Sequence, residues 1–317
     1  MSHWVITPVV LPLAAAVILL LAERAGPRWC GAINLAATLV LLAVALRLLA
    51  GAAGGEVAVC LIGNWPAPFG IALAVDRLGA LMIALAALLA LCALGFALAG
   101  PWARAPHFHP LFQFQLMGLG GAFATADLFN LFVFFEVLLA ASYGLLLHAP
   151  APQRTAAGLH YVILNLAGSA VFLVAIGLLY AVAGSLNLAD LARAVRLLPQ
   201  ADAALARAAG LLLLTVFGLK AAALPLHFWL PGTYACAPAP VAALFAIMTK
   251  VGVYAIVRVF TLLFGADAGA AANLAGPVLL PVALATLVIA ALGALAAARL
   301  RTLAAWLVVG SAGTLLA

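Results

Sequence analysis

The chain has 317 residues, of which 69% are hydrophobic and 7% are charged, and its formal net charge is +6 at pH 7. No soluble globular domain has this balance, so the composition predicts an all-α polytopic membrane protein. Most of the basic residues are arginines between apolar runs rather than a cluster on a solvated face, so the charge does not indicate a nucleic-acid partner. The 4 cysteines lie far apart, which predicts neither a disulfide framework nor a metal site.

Apolar runs long enough to cross a bilayer follow one another along almost the whole chain. The first run has no basic N-terminal region and no small-residue cleavage pattern, so we interpret it as a span rather than a signal peptide. The last run reaches only about 22 Å as a helix, short of a core of about 30 Å, so we expect the sequence to stop inside a span. About ten spans are predicted, at residues 4–22, 30–50, 78–99, 110–126, 128–148, 157–182, 208–230, 240–264, 277–297 and from 303 onward.

The segments between the spans carry weaker signals. Residues 51–75 contain Gly, Pro and alternating Val and Ala, which predicts a short hairpin or loop on the membrane surface. Residues 187–199 have apolar side chains at helical spacing, which predicts an interfacial amphipathic helix. The "GLGG" at Gly118–Gly121 has no following Lys-Ser/Thr and indicates close helix packing rather than a phosphate loop. His107 and His109 are expected to lie in a loop without a specific role.

Arginine positions predict the orientation of the chain in the membrane. The loops that follow odd-numbered spans carry most of the arginines that no acid balances. The positive-inside rule therefore places these loops in the cytoplasm and the N-terminus outside. A cluster formed by Arg193, Arg196 and Arg207 argues for the opposite orientation.

Two charged residues lie near the centres of predicted spans. A charge at mid-bilayer costs about 2.5–3.5 kcal/mol on insertion scales, so such residues usually mark ion or proton pathways. Glu136 lies about eight residues into its span, too deep for a short side chain to reach the interface, and Tyr143 shares its face. Lys250 is similarly central, and Tyr254 and Arg258 follow it at i+4 and i+8 on roughly the same side.

A third charge, Lys220, lies in the stretch "FGLKAAALPLHFWLP". Pro225 cannot donate a backbone hydrogen bond to Ala221, so the helix is predicted to break there, facing protein or water. His227 follows Lys220 at i+7, and the lysine, the break and the histidine together predict ion or proton handling. His160, near the start of the sixth span, is a weaker candidate of the same kind.

These residues have structural interpretations as well. Glu136 and a lysine could form a fixed pair that only stabilises helix packing, and Asn165 is interpreted as a hydrogen-bonded packing residue. Burial disfavours both charges of a Glu–Lys pair whereas pairing favours both, so the pair is poised between two charge states. We interpret Glu136 as a switch whose protonation frees the charge of the lysine to act on the next site.

The sequence resembles a known family in three stretches, "DLFNLFVFFEVLLAASYGLLL", "GLHYVILNLAGSAVFLVAIGLLY" and "LPLHFWLPGTYACAPAPVAALFAIMTKVGVYAIVRVF". It is similar to the D-type subunits of the Mrp-type multisubunit cation/proton antiporters and, more broadly, to the antiporter-like membrane subunits of respiratory complex I. The resemblance implies that Glu136, Lys220 and Lys250 are proton-pathway groups and that no cofactor is bound.

The resemblance also implies a fold of about fourteen helices with two inverted five-helix repeats. On that plan, residues 1–109 form an N-terminal three-helix region, and residues 110–264 form the first, proton-translocating repeat, which includes a broken seventh helix. Residues 277–317 are then the start of a second repeat, which is truncated. Two departures from the family pattern are the glycine at Gly232, where the family usually has an acid, and the absence of the lysine on the twelfth helix.

Three functions are compatible with these observations. The leading hypothesis is a non-enzymatic subunit of a secondary antiporter that exchanges a monovalent cation, with Na⁺ the first choice, for H⁺. It would lie in the bacterial cytoplasmic membrane among other subunits of a hetero-oligomeric complex. The second is a proton-pumping subunit of an NADH-quinone oxidoreductase or a membrane-bound hydrogenase, with the redox centres in partner subunits. The third is a non-conducting assembly subunit.

Overall fold

The computed structural model describes residues 3–148 and 152–317, which contain thirteen α-helices and one small sheet. The two strands, β1 (Ala58–Leu61) and β2 (Ala72–Val75), are antiparallel. The helices are α1 (Thr7–Ala22), α2 (Pro27–Ala53), α3 (Arg77–Ala99), α4 (Phe108–Ala124), α5 (Leu128–Leu147), α6 (Pro152–Ala183), α7 (Leu188–Leu197), α8 (Gln200–Ala221), α9 (Trp229–Cys236), α10 (Ala239–Phe245), α11 (Met248–Leu262), α12 (Gly276–Leu295) and α13 (Leu300–Leu316).

Several of these helices have the length and apolar composition of membrane spans. Within the two described ranges, 7 segments are long and apolar enough to cross a bilayer, and α1 and α13 are apolar but shorter. The prediction of a multi-pass, mostly helical membrane protein is therefore confirmed, whereas the count of ten spans stays a prediction. The long segments are Arg28–Ala53, Arg77–Ala99, Leu128–Leu147, Arg154–Ala183, Gln200–Ala221, Ala239–Leu262 and Gly269–Leu295.

The chain divides into two compact units. Unit 1 comprises Met1–Pro66, Gly70–Pro152 and Pro238–Ile247, and unit 2 comprises Ala67–Phe69, Gln153–Ala237 and Met248–Ala317. This division follows the packing of the chain and does not test the predicted repeats. The repeat boundaries at 110–264 and 277–317 therefore stay predictions.

In unit 1, helices α4 and α5 pack closely against each other. A Cβ atom added to Gly118 would lie 2.6 Å from the Cβ of Leu138, and one added to Gly121 would lie 2.2 Å from the ring of Phe134. These glycines therefore let α4 pack directly against α5. The interpretation of "GLGG" as a packing segment is confirmed.

The small sheet lies in unit 1 between α2 and α3. Ala58 pairs with Val75, and Leu61 pairs with Ala72 at the turn end of the hairpin. Leu73 also forms an isolated bridge with Thr125, directly after α4, so the hairpin is tied to the end of that helix. The predicted hairpin within residues 51–75 is confirmed. These two strands are an exception to the predicted all-α fold.

In unit 2, the predicted amphipathic helix is α7. Its first turn is capped by Asn187, whose side-chain oxygen accepts hydrogen bonds from the N–H groups of Ala189 at 3.0 Å and Asp190 at 3.4 Å. Leu191 and Val195 are buried at i, i+4 spacing. Arg193 and Arg196 are left on the outer side of the helix, which agrees with the amphipathic pattern of the sequence.

Candidate functional site

Lys220 lies in the last turn of α8 and is 5% exposed. Its Nζ atom lies 3.3 Å from the backbone oxygen of Asn165, 3.4 Å from the amide oxygen of the same residue and 3.2 Å from the Oγ of Ser169. Both partners lie on α6, four residues apart, and both are buried. An ammonium group donates hydrogen bonds and accepts none, so these neutral oxygens are suitable acceptors for it. We call Lys220, Asn165 and Ser169 the lysine cluster.

The helix breaks immediately after Lys220, as the sequence predicts. Ala222 has the left-handed conformation with φ 56°, and α9 begins only at Trp229. The backbone N–H of Leu224 donates to the Oγ1 of Thr286 on α12 at 2.9 Å, and the indole N–H of Trp229 donates to the carbonyl of Leu219 at 3.1 Å. Side chains thus satisfy backbone groups that the break releases, which lets non-helical backbone persist at membrane depth.

Helix α11 packs closely against the end of α8. A Cβ atom added to Gly252 would lie 2.5 Å from the backbone nitrogen of Ala221 and 2.8 Å from the carbonyl carbon of Lys220. Real Cβ contacts are essentially never this short, so glycine is required for the observed approach. Gly252 therefore helps to fix the backbone that carries Lys220.

Lys250 lies in the first turn of α11 and is half-buried. Its Nζ donates to the Oγ1 of Thr249 at 3.1 Å and to the Oγ of Ser311 on α13. The hydroxyl of Ser311 in turn donates to the carbonyl of Val308 at 2.6 Å. Lys250, like Lys220, therefore contacts neutral oxygens that include one from a neighbouring helix.

The two predicted histidines have different surroundings. His227 lies in the break and is half-buried, and its ring centroid is 5.8 Å from that of Trp306. Its Nδ1 is buried, and no hydrogen-bond partner for it exists among the described residues. His160 is exposed on α6, and its ring lies edge-on to that of Phe228 with 6.5 Å between the ring centroids. Of the two histidines, only His227 therefore has a buried ring nitrogen.

Glu136 lies in unit 1 on α5 and is half-buried. Asp127 caps this helix by accepting a hydrogen bond from the N–H of Asn130 at 2.7 Å, which fixes where α5 begins. Tyr143 lies seven residues after Glu136, two helical turns along the same face, and is also half-buried. Glu136 therefore lies in unit 1, whereas Lys220 and Lys250 lie in unit 2.

The sequence interpretation misses several polar contacts. It treats Asn165 as a packing residue, yet two oxygens of this residue face Lys220. It places His109 in a loop, but His109 lies on α4, is 4% exposed, and its Nδ1 is 2.8 Å from the amide nitrogen of Asn34 on α2. Gln113, one turn further along α4, donates to the amide oxygen of Asn34 at 2.7 Å. The signal available in the sequence is the presence of these amides within apolar runs.

No group of three or more His, Cys, Asp or Glu side chains placed to hold a metal ion occurs in the described part of the chain.

Residues 125–317 match the family described as NADH:quinone oxidoreductase/Mrp antiporter, a transmembrane family. The chain belongs to this family. The predicted resemblance to Mrp-type antiporter subunits is thereby confirmed.

Individual relatives make the resemblance more specific. The chain is 46% identical to the D subunit of a probable K⁺/H⁺ antiporter from Rhizobium meliloti, an alignment that covers 100% of this chain and 60% of that protein. It is 38% identical to the D subunit of a Na⁺/H⁺ antiporter from Bacillus subtilis, with 83% of this chain and 54% of that protein covered. The aligned part of the chain thus corresponds to about half to three fifths of these relatives.

Solved structures share the fold. A chain of the Mrp complex from Dietzia sp. DQ12-45-1b matches with a TM-score of 0.89 and 30% identity, covering 100% of this chain and 58% of that one. A chain of the membrane-bound sulfane sulfur reductase, an archaeal respiratory membrane complex, matches with a TM-score of 0.88 and 26% identity, covering 98% and 63%. Both neighbours are parts of membrane complexes.

Proposed function

We propose that the chain is a membrane subunit of a multisubunit monovalent cation/proton antiporter in a bacterial cytoplasmic membrane. The observation that carries the proposal is the lysine cluster, in which a buried ammonium group beside a broken helix has neutral oxygens at 3.2–3.4 Å. The antiporter subunits among its relatives support the same class of function. The chain is then a transporter component rather than an enzyme.

The lysine cluster can accommodate both protonation states of Lys220. In the charged state, Nζ donates to the oxygens of Asn165 and Ser169. In the neutral state, the amine has a lone pair, and rotation of the Ser169 hydroxyl lets that group donate to it instead. Because the oxygens of Asn165 and Ser169 carry no net charge, they do not lock the ammonium form as a carboxylate would. The site is therefore suited to take up and release a proton.

Further groups extend the route in this proposal. Glu136 acts as the acid that changes charge, and Lys250, with Ser311 as its hydroxyl partner, repeats the chemistry of the lysine cluster on α11. The half-buried imidazole of His227 offers a group in the break that can gain and lose a proton. His160 has an exposed setting, so the proposal gives it no step. Residues 110–264 then contain the proton-handling residues of one repeat.

The proposal is tested by cation-driven pH changes in inside-out membrane vesicles that contain the chain with its co-purifying subunits. Glu136→Gln and Lys220→Met should each reduce antiport at least tenfold, while the amount of assembled complex stays unchanged. Glu56→Gln and Arg193→Met remove an exposed acid and an exposed base and should leave the rate unaltered. Full antiport by Lys220→Met in an assembled complex would refute the proposed proton route. Comparing Na⁺ with K⁺ in the same vesicles identifies the cation.

A second candidate is a proton-pumping subunit of a redox complex. It is favoured by the family description, which includes NADH:quinone oxidoreductase, and by the TM-score of 0.88 with the archaeal respiratory complex. Co-purification with subunits that contain flavin or iron–sulfur clusters would support this function. Co-purification with small membrane subunits and antiport without any electron donor would support the first. A complex that assembles but conducts nothing would indicate an assembly subunit.

A further inference from the structure

An open groove of about 540 Å³ lies in unit 1, between the start of α2, the end of α3 and the loop after α3. Two exposed arginines, Arg28 and Arg104, line it. Ala32, Leu35 and Leu98 form an apolar part. We call this feature the α2–α3 groove. It belongs to no part of the proposed proton route.

The two arginines of the α2–α3 groove have no acidic partner among the described residues. None of the ion pairs in that part of the chain includes Arg28 or Arg104. The acid nearest to Arg28 in sequence, Glu23, accepts instead from the backbone N–H of His107 at 2.8 Å and lies 2.9 Å from the Nδ1 of the same residue. Two positive charges therefore line the same groove, and the carboxylate of Glu23 already binds His107.

The groove lies at the ends of two segments that are long and apolar enough to cross a membrane, where lipid headgroups are expected. One of its walls is the first turn of the apolar segment Arg28–Ala53, and the other is the end of Arg77–Ala99. Trp29, which is 65% exposed, and Trp102, in the loop after α3, lie beside the two arginines in sequence. Tryptophan is enriched where membrane and water meet, which agrees with a position of these two arginines at the headgroup level.

Small residues line the apolar part of the groove. A Cβ atom added to Gly31 would lie 2.9 Å from the Cδ2 of Leu98, so glycine allows α2 and α3 to approach at the floor of the groove. Ala32 is exposed and presents only a methyl group. Next to it, Leu35 and Leu98 supply a surface along which one hydrocarbon chain can lie.

We propose that the α2–α3 groove binds an anionic phospholipid. The lipid phosphate lies between the guanidinium groups of Arg28 and Arg104, and an acyl chain lies against Ala32, Leu35 and Leu98. Arginine pairs with phosphate through two parallel N–H donors, which favours it over a point charge for this purpose. Basic pockets between membrane helices at the headgroup level are known to recognise such lipids.

The test measures lipid retained by the full chain after purification from vesicles of equal phosphatidylglycerol and phosphatidylethanolamine. Mass spectrometry of the intact protein–lipid assemblies should show phosphatidylglycerol retained at least threefold over phosphatidylethanolamine. Arg28→Gln with Arg104→Gln should abolish this preference. Ala32→Trp should also reduce retention severalfold, because it fills the apolar part and leaves both arginines in place. The control, Arg299→Gln with Arg301→Gln, removes two other exposed arginines and should keep the wild-type preference.

The possible results separate the sources of binding. Equal retention in wild type and in the Arg28/Arg104 variant, both melting at the same temperature, would overturn the proposal. An equal loss of the phosphatidylglycerol preference in the Arg299/Arg301 control would also overturn the proposal, because lipid binding would then depend only on net charge. Displacement of the lipid by about 10 mM inorganic phosphate would assign the groove to a free anion rather than a phospholipid. An acidic protein segment cross-linked to Arg28 or Arg104 would assign it to another protein of the complex.

Discussion

Gly252 offers a quantitative test of how the backbone around Lys220 is held. An alanine at this position would place its Cβ 2.5 Å from the backbone nitrogen of Ala221, whereas ordinary contacts begin at 3.4 Å. The helices α8 and α11 would have to separate by about 1 Å, and overpacking of this kind typically costs about 1–3 kcal/mol. Because backbone atoms receive the contact, no flexible side chain can relieve it.

A matched glycine separates this cost from the general effect of alanine in a helix. Gly218 lies on α8, close to the same break, and an added Cβ there meets nothing within 4 Å. Gly218→Ala should therefore stabilise the protein by up to about 1 kcal/mol through helix propensity alone. The difference between the two alanine variants should equal the overpacking cost of about 1–3 kcal/mol, or roughly 2–10 °C in melting temperature.

The assay is thermal unfolding of both variants in the same detergent, followed by antiport at a temperature where both are folded. We expect Gly252→Ala to melt below Gly218→Ala and to transport more slowly, because it displaces the backbone at Lys220. If Gly252→Ala melts at the temperature of Gly218→Ala and transports at the wild-type rate, the inferred packing of α11 against α8 is wrong.

Three further substitutions test separate parts of the site. Ser169→Ala removes the hydroxyl that can both accept from and donate to Lys220, and should lower antiport severalfold with normal assembly. Ser311→Ala removes the α13 partner of Lys250 and should also slow antiport, with a smaller effect on melting temperature. Thr286→Val leaves the N–H of Leu224 without its acceptor, which should cost about 1–3 kcal/mol of stability as measured by thermal unfolding.

Two exposed hydroxyls serve as controls for these substitutions. Thr215 on α8 and Thr314 on α13 each donate to a backbone carbonyl of their own helix. Thr215→Ala and Thr314→Ala should change neither antiport nor melting temperature measurably. If they slow transport as much as Ser169→Ala and Ser311→Ala, the effects are not specific to the lysines. A melting temperature for Thr286→Val equal to that of the wild type would show that the break does not depend on this hydroxyl.

The sequence predicts individual buried charges better than it predicts their surroundings. A lysine in an apolar run followed by Pro225 is sufficient to place a broken helix, because proline cannot complete the hydrogen-bond ladder. The partners of Lys220 lie 51 and 55 residues away on α6, a distance over which helical periodicity carries no information. The sequence therefore indicates only a packing role for Asn165, although this residue contacts the buried ammonium group.

The predicted helix limits differ from the observed ones by a few residues where local sequence signals are ambiguous. Helix α4 begins at Phe108, before the predicted start at residue 110, and so takes in His109. Proline is tolerated in the first turn of a helix, where its missing N–H has no partner to lose, so Pro110 does not mark the end of a loop. The predicted span at 240–264 matches the apolar segment Ala239–Leu262, but the interruption between α10 and α11 within it is not visible in the uniform apolar pattern.

The proposed function depends most on a change in the protonation state of Lys220 during transport. Lys220 and Lys250 are the only lysines in the chain, so selective ¹⁵N labelling of lysine gives two side-chain signals from it. Solid-state NMR of the complex in liposomes, assigned with Lys250→Arg, can compare samples with and without an imposed cation gradient. We predict that the gradient moves part of the Lys220 signal from the ammonium to the amine position. An ammonium signal that is identical in both samples, in a complex shown to be transporting, would contradict the proposal.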